Sequence, residues 1–89
     1  MAELIQEYST QVRSPAGIVF IVRSYGEQRL DGTWEGWLTF TPVDGLTPPL
    51  RTDRETSQPN RITLVYWASG LEPIYLDGAL ERALALSMK

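Results

Sequence analysis

The segment R-T-D-R-E-T-S-Q-P-N-R, residues 51–61, concentrates the side chains of this chain that could do chemistry. Arg51, Arg54 and Arg61 supply guanidinium groups, whose planar fork matches a carboxylate or phosphate in two parallel hydrogen bonds. Thr52, Thr56, Ser57, Gln58 and Asn60 add hydroxyl and amide donors between them. Pro59 and Asn60 read as a helix start, with Asn a favoured cap, and the free N–H groups of a first turn carry partial positive charge. Such a set describes a site for a small anion or for an acidic group of a partner protein. Asp53 and Glu55 lie among the arginines and compete for them, so a self-satisfied salt-bridge loop is the other reading of the same residues. If something is bound here, Arg51 and Arg54 are expected beside the N-terminus of the Asn60 helix, with at least one of them paired to Asp53 or Glu55.

Catalytic readings find little to use. Asp53 with Glu55, and Glu72 with Asp77, are the close carboxylate pairs that an acid–base reaction would need, but neighbouring carboxylates in a polar loop are ordinarily just solvated. With no Cys and no His in the chain, common zinc ligand sets and Cys- or His-based nucleophilic catalysis are excluded. Ser57 and Ser69 have no base, since the single lysine is the terminal Lys89. G-L-T-P-P-L does not match a phosphate-binding loop, and D-G-T-W-E-G matches no dinucleotide fingerprint. The chain reads as a non-enzyme with no cofactor, no metal and no catalytic residue.

Composition sets the frame around that segment. A chain of 89 residues that is 43% hydrophobic and 21% charged is too apolar and too aromatic for a disordered segment, and residues 1–89 read as one globular domain. Glu3 and Glu7 stand where a signal peptide would need a basic and then an apolar region, and G-I-V-F-I-V is too short to span a bilayer, which points to the cytoplasm. A formal net charge of -3 argues against nucleic acid and anionic membranes as partners. Another protein is the expected partner, and an edge strand offers a route to a homodimer.

The elements that must position the segment follow from periodicity. Leu4 to Val12 alternates as a partly polar edge strand, Ser14–Pro15–Ala16–Gly17 reverses the chain, and Gly17 to Tyr25 is apolar on both faces, as a central strand is. Asp31–Gly32 makes a hairpin turn into a third strand over W-E-G-W-L-T-F-T-P-V. There Trp34, Gly36, Leu38 and Phe40 share the face that should meet the core. Trp37 falls on the opposite face, where it either packs against a neighbouring strand's side chain such as Tyr25 or faces a partner. Gly36 marks a bulge or a close backbone approach. Pro42 to Leu50 is a loop. Leu64, Trp67, Ala68 and Leu71 recur at helical spacing with Gly70 as the stop, although Ile62, Thr63 and Val65 favour a strand for residues 61–69. Leu71 to Leu76 reads as a short extended segment. Asp77 then caps a final helix from Gly78 to about Ser87, with Leu80, Ala83 and Leu84 buried. The fold class is α+β: a three-stranded antiparallel meander followed by helix, short strand and helix, packed on one sheet face.

The segments DGTWEGWLTFTPVDG, LRTDRETSQPNR and YWASGLEPIYLDGALERAL, in that order, resemble a family of small bacterial proteins with no assigned function. The resemblance covers roughly residues 25–84. It implies a bacterial origin and a self-standing domain, and it carries no activity, ligand or site residue. The functional expectation therefore rests on residue chemistry. It is a small interaction or adaptor module docking on a larger protein through the Trp37 strand face and the arginine segment, because Trp, Tyr and Arg dominate interface energetics. The alternative is a small anion- or ligand-binding regulatory domain using Arg51, Arg54, Asn60 and Arg61.

Overall fold

A computed structural model describes residues 1–88 and builds them into one antiparallel sheet with two helices on one of its faces. Two long strands, β3 (Val19–Gln28) and β4 (Trp34–Pro42), form its centre, paired from Phe20↔Pro42 to Gln28↔Trp34. The predicted Asp31–Gly32 turn joins them. Gly32 takes a φ of +89°, which L side chains disfavour, and the Asp31 carboxylate accepts from the Thr33 N–H at 2.9 Å.

Each central strand is flanked by an interrupted edge. On one side β1 (Glu3–Glu7) and β2 (Val12–Arg13) both pair with β3, and on the other β5 (Leu50–Arg51) and β6 (Thr56–Gln58) both pair with β4. The predicted strand over Leu4–Val12 is thus split, with a bulge at Ile5 between the pairs Leu4↔Tyr25 and Gln6↔Ser24. Pro42, predicted in the loop, is the buried last residue of β4.

Alternation sorts the two faces. Phe20, Val22, Ser24, Leu38 and Phe40 all point toward the helices and are essentially inaccessible to solvent, with Phe20 and Phe40 edge to face at 6.4 Å between ring centroids. Trp34, predicted in that core, is half-buried, because it opens β4 at the sheet's end.

The helices are α1 (Arg61–Ser69) and α2 (Pro73–Ser87). Residues 61–69 are helical despite their β-branched side chains. The Asn60 side-chain oxygen accepts from the Thr63 N–H at 2.9 Å, which satisfies one of the orphan donors of the first turn. Leu64 and Ala68 face the sheet. Gly26 and Gly36 lie opposite each other across β3 and β4, and Leu64 fills the depression their missing side chains leave. The close approach expected at Gly36 is therefore made by a helix.

No strand separates the helices. Residues predicted as extended, Leu71 to Leu76, instead enter α2 at Pro73, where a fixed φ suits the first turn and no N–H is lost. Glu72 takes the N-cap position, its carbonyl accepting from the N–H groups of Tyr75 at 2.9 Å and Leu76 at 3.2 Å, and Asp77 is an exposed residue of the helix interior. Leu76, Ala79, Leu80 and Ala83 recur at i, i+3, i+4 and i+7 and close the core with Tyr8 and Val12.

Candidate functional site

The 51–61 segment is an interrupted edge strand. Arg51 pairs with Thr39 and Thr56 pairs with Gly36, so four residues, 52–55, span the distance that two residues, 37–38, cover on β4. Thr52 holds this insertion in place. Its N–H donates to the Leu38 carbonyl at 2.9 Å, and its hydroxyl accepts from the Leu38 N–H at 3.1 Å. Glu55 N–H donates to the Gly36 carbonyl at 2.7 Å, returning the chain to register. Thr52 is buried. Among the donors that sequence places in one candidate site, it serves the backbone.

The three arginines diverge, because strand alternation and the insertion send successive side chains to different faces. The Arg51 guanidinium lies over the Trp37 ring, 4.6 Å from its centroid, with Nε donating to the Thr52 carbonyl at 3.3 Å. Arg54 stands exposed on the insertion. Arg61 forms an ion pair with Glu3 on β1. Arg51, opposite Thr39, and Gln58, opposite Trp34, are separated by five positions of β4, about 17 Å. Arg51 is therefore not beside the α1 N-terminus, and neither Arg51 nor Arg54 pairs with Asp53 or Glu55. That expected arrangement is corrected.

Glu55 finds its partners on α2. Its carboxylate accepts from the Tyr75 hydroxyl at 2.6 Å and from Arg82 at 2.5 and 3.1 Å. Tyr75 also meets Trp67 of α1 edge to face at 6.2 Å, so this cluster ties the insertion to both helices. Partial burial, and next the Glu55 carboxylate it donates to, push the Tyr75 hydroxyl up from 10.0 to about 12. The hydrogen bond to Glu55 also raises Arg82, and that from Arg61 holds Glu3 below the usual carboxylate range. No local signal announces Glu55–Arg82, whose members are 27 residues apart.

The helix-free face gathers the remaining candidates. The hairpin register sets Tyr25 directly opposite Trp37, and their rings lie nearly parallel, 15° apart in plane with centroids separated by 6.4 Å. Trp37 is 5% exposed, covered by Tyr25 on one side and Arg51 above. It thus packs against Tyr25 and also belongs to the uncovered side of the sheet. Arg51, Thr39, Thr41 and Pro49 bound a shallow depression of about 360 Å³ against this pair. Around it the charges are matched. Arg23 bonds Glu7 at 2.7 Å and reaches Thr41 at 3.3 Å, and Arg29 bonds Glu35 at 3.0 Å. Thr39 was legible as a neighbour of Trp37 from strand alternation, and Tyr25 was named as its expected cross-strand partner, a pairing that the register bears out.

Among the described residues no three acidic side chains cluster as a metal site requires, and no helix is long and apolar enough to cross a membrane. No family model, curated protein or solved structure matches the chain.

Proposed function

We propose that this chain is a non-enzymatic protein-interaction module that docks on a larger partner through the helix-free sheet face centred on Tyr25, Trp37 and Arg51. The observation that carries the reading is the layout of that face. At its centre the Arg51 guanidinium lies over the Trp37 ring, itself stacked on Tyr25, with no carboxylate in ion-pair range among the described residues, while Arg23 and Arg29 are already paired with Glu7 and Glu35. A partner that sets a carboxylate on Arg51 and an apolar group against the Tyr25 ring complements it, and Arg and Tyr are the residue types that most often anchor interfaces. The covered Trp37 acts as the support that orders both contacts. Less supports the alternative of an anion-binding domain, because Arg51, Arg54 and Arg61 point to separate places and the Asn60 cap is already engaged by its own helix.

The test is capture of a cross-linked partner, identified by mass spectrometry, with wild type, Arg51→Glu and Arg54→Ala. Arg51→Glu reverses the central charge and should abolish capture of that partner, whereas Arg54→Ala should leave it unchanged. Equal capture by Arg51→Glu moves the interface off this face, and loss with Arg54→Ala alone returns it to the insertion. Binding of inorganic phosphate that Arg51→Glu removes, with no protein captured, would favour the anion-binding alternative.

A further inference from the structure

At the end of the sheet opposite the Asp31–Gly32 turn the core is open. A cleft of about 600 Å³ enters there, with the ring of Phe20 at its floor and Ile18, Leu50 and Leu84 on its sides. Phe20 is itself 1% exposed, so the cleft ends on the core proper. Its outer walls are the Pro15–Ala16 turn on one side and Thr47–Pro48–Pro49 on the other. Prolines fix φ in both walls, and the Asp44 carboxylate holds the second by accepting from the N–H groups of Leu46 at 2.9 Å and Thr47 at 3.2 Å. The cavity is thus framed by ordered backbone, which lowers the ordering cost of filling it.

The chemistry of the lining is narrow. Among the described residues no charged side chain lines it, and its polar side chains are three hydroxyls, each bonded within the chain. Ser14 accepts from the Ile18 N–H at 3.2 Å, Thr47 donates to Asp44 at 3.3 Å, and Ser87 donates to the Leu84 carbonyl at 2.8 Å. A charged guest would lose its hydration and find no counter-charge among the described lining residues, whereas an apolar guest gains from leaving water. The volume falls within the range of roughly 300–1,000 Å³ that holds small molecules. We infer that this cleft is a binding site for a small, uncharged, predominantly apolar molecule, separate from the helix-free face and independent of its role. Walls from several chain segments flank such a guest on more than one side, while a flat protein surface would touch only the rim.

N-phenyl-1-naphthylamine and its sulfonated analogue, 1-anilinonaphthalene-8-sulfonate, test both shape and charge, because they differ in the sulfonate. Fluorescence titration of the full chain should show saturable one-to-one binding of the neutral probe and at least about tenfold weaker binding of the anion. Methyl NMR should confine the shifts to Ile18, Leu50, Leu84 and Met88, and Leu84→Trp, which fills the cleft, should remove them. The methyl map decides by itself if that variant does not fold. Tighter binding of the anion, unsaturable binding, or shifts centred on the exposed Ile62 and Ile74 of the helices would overturn the inference. So would concentration-dependent shifts of the cleft methyls without probe, which would assign the cleft to a second copy of the chain.

Discussion

Gly26 and Gly36 show how one missing atom sets the distance between layers. A Cβ built at Gly26 would lie 2.3 Å from Leu64 Cδ2, and one at Gly36 would lie 2.7 Å from Leu64 Cδ1, both far inside van der Waals contact. Gly26→Ala should therefore destabilise the fold by about 1–3 kcal/mol, the usual cost of overpacking. Trimming the clashing partner in Gly26→Ala/Leu64→Val should cost less than the sum of the single changes, and a double-mutant cycle by urea denaturation measures that coupling. Additive costs would mean that α1 shifts as a body. Tyr75 offers a pH-dependent test at the same scale. Its hydroxyl is neutral when protonated, and its folded value of about 12 stands above the ordinary 10.0. Its contribution to stability is thus fully present below pH 10 and lost as pH rises through 10 toward 12. The loss should be about 1–2 kcal/mol, less than the full shift implies because the ring is partly in water. Tyr75→Phe should flatten the alkaline limb of stability against pH without removing it, since burial also raises Tyr8.

The edge strands carry the second scale. Both are interrupted, one at Ile5 and again between β1 and β2, the other at residues 52–55, and interrupted edges are poor templates for edge-to-edge pairing of chains. The 52–55 insertion depends on a side chain doing the work of backbone. Thr52→Val keeps the shape of the residue but removes the acceptor for the Leu38 N–H, leaving a buried donor unsatisfied. The expected cost is about 1–3 kcal/mol, with faster amide exchange at Leu38, while Thr52→Ser should keep most of the stability. A neutral Thr52→Val would show that water replaces the hydroxyl and that the insertion is held by Glu55 instead. Within the same segment, alternation from Arg51 to Thr52 and the break in period at the 52–55 insertion explain why one sequence neighbourhood yields a backbone brace at Thr52, a cap on an aromatic at Arg51 and a tie to α2 at Glu55.

At the scale of the molecule, one sheet divides two environments. The helix-covered side is a continuous core, and Phe40→Ala on it should cost about 3–5 kcal/mol, a large share of the 5–15 kcal/mol typical of folded domains. Trp34→Ala, at the half-buried end of β4, should cost clearly less, and the reverse order in thermal melts would place the centre of the core at the Trp34 end of the strand. Much of this division was legible in the chain. The absence of Cys and His, the Asp31–Gly32 turn, the Asn60 cap and the alternation through Leu38 and Phe40 are set by residue identity or by contacts within a few positions, so local rules reach them. The start of α2 was misplaced because Pro73 is read equally well as a strand breaker and as a first helical residue, and burial of Leu76 against Ala79 and Leu80 decides between them. The scattering of Arg51, Arg54 and Arg61, the attachment of Glu55 to Tyr75 and Arg82, and the open cleft above Phe20 were settled only by the tertiary structure. Each depends on segments far apart in sequence meeting across the sheet, and no local spacing encodes which side chain a residue will meet there.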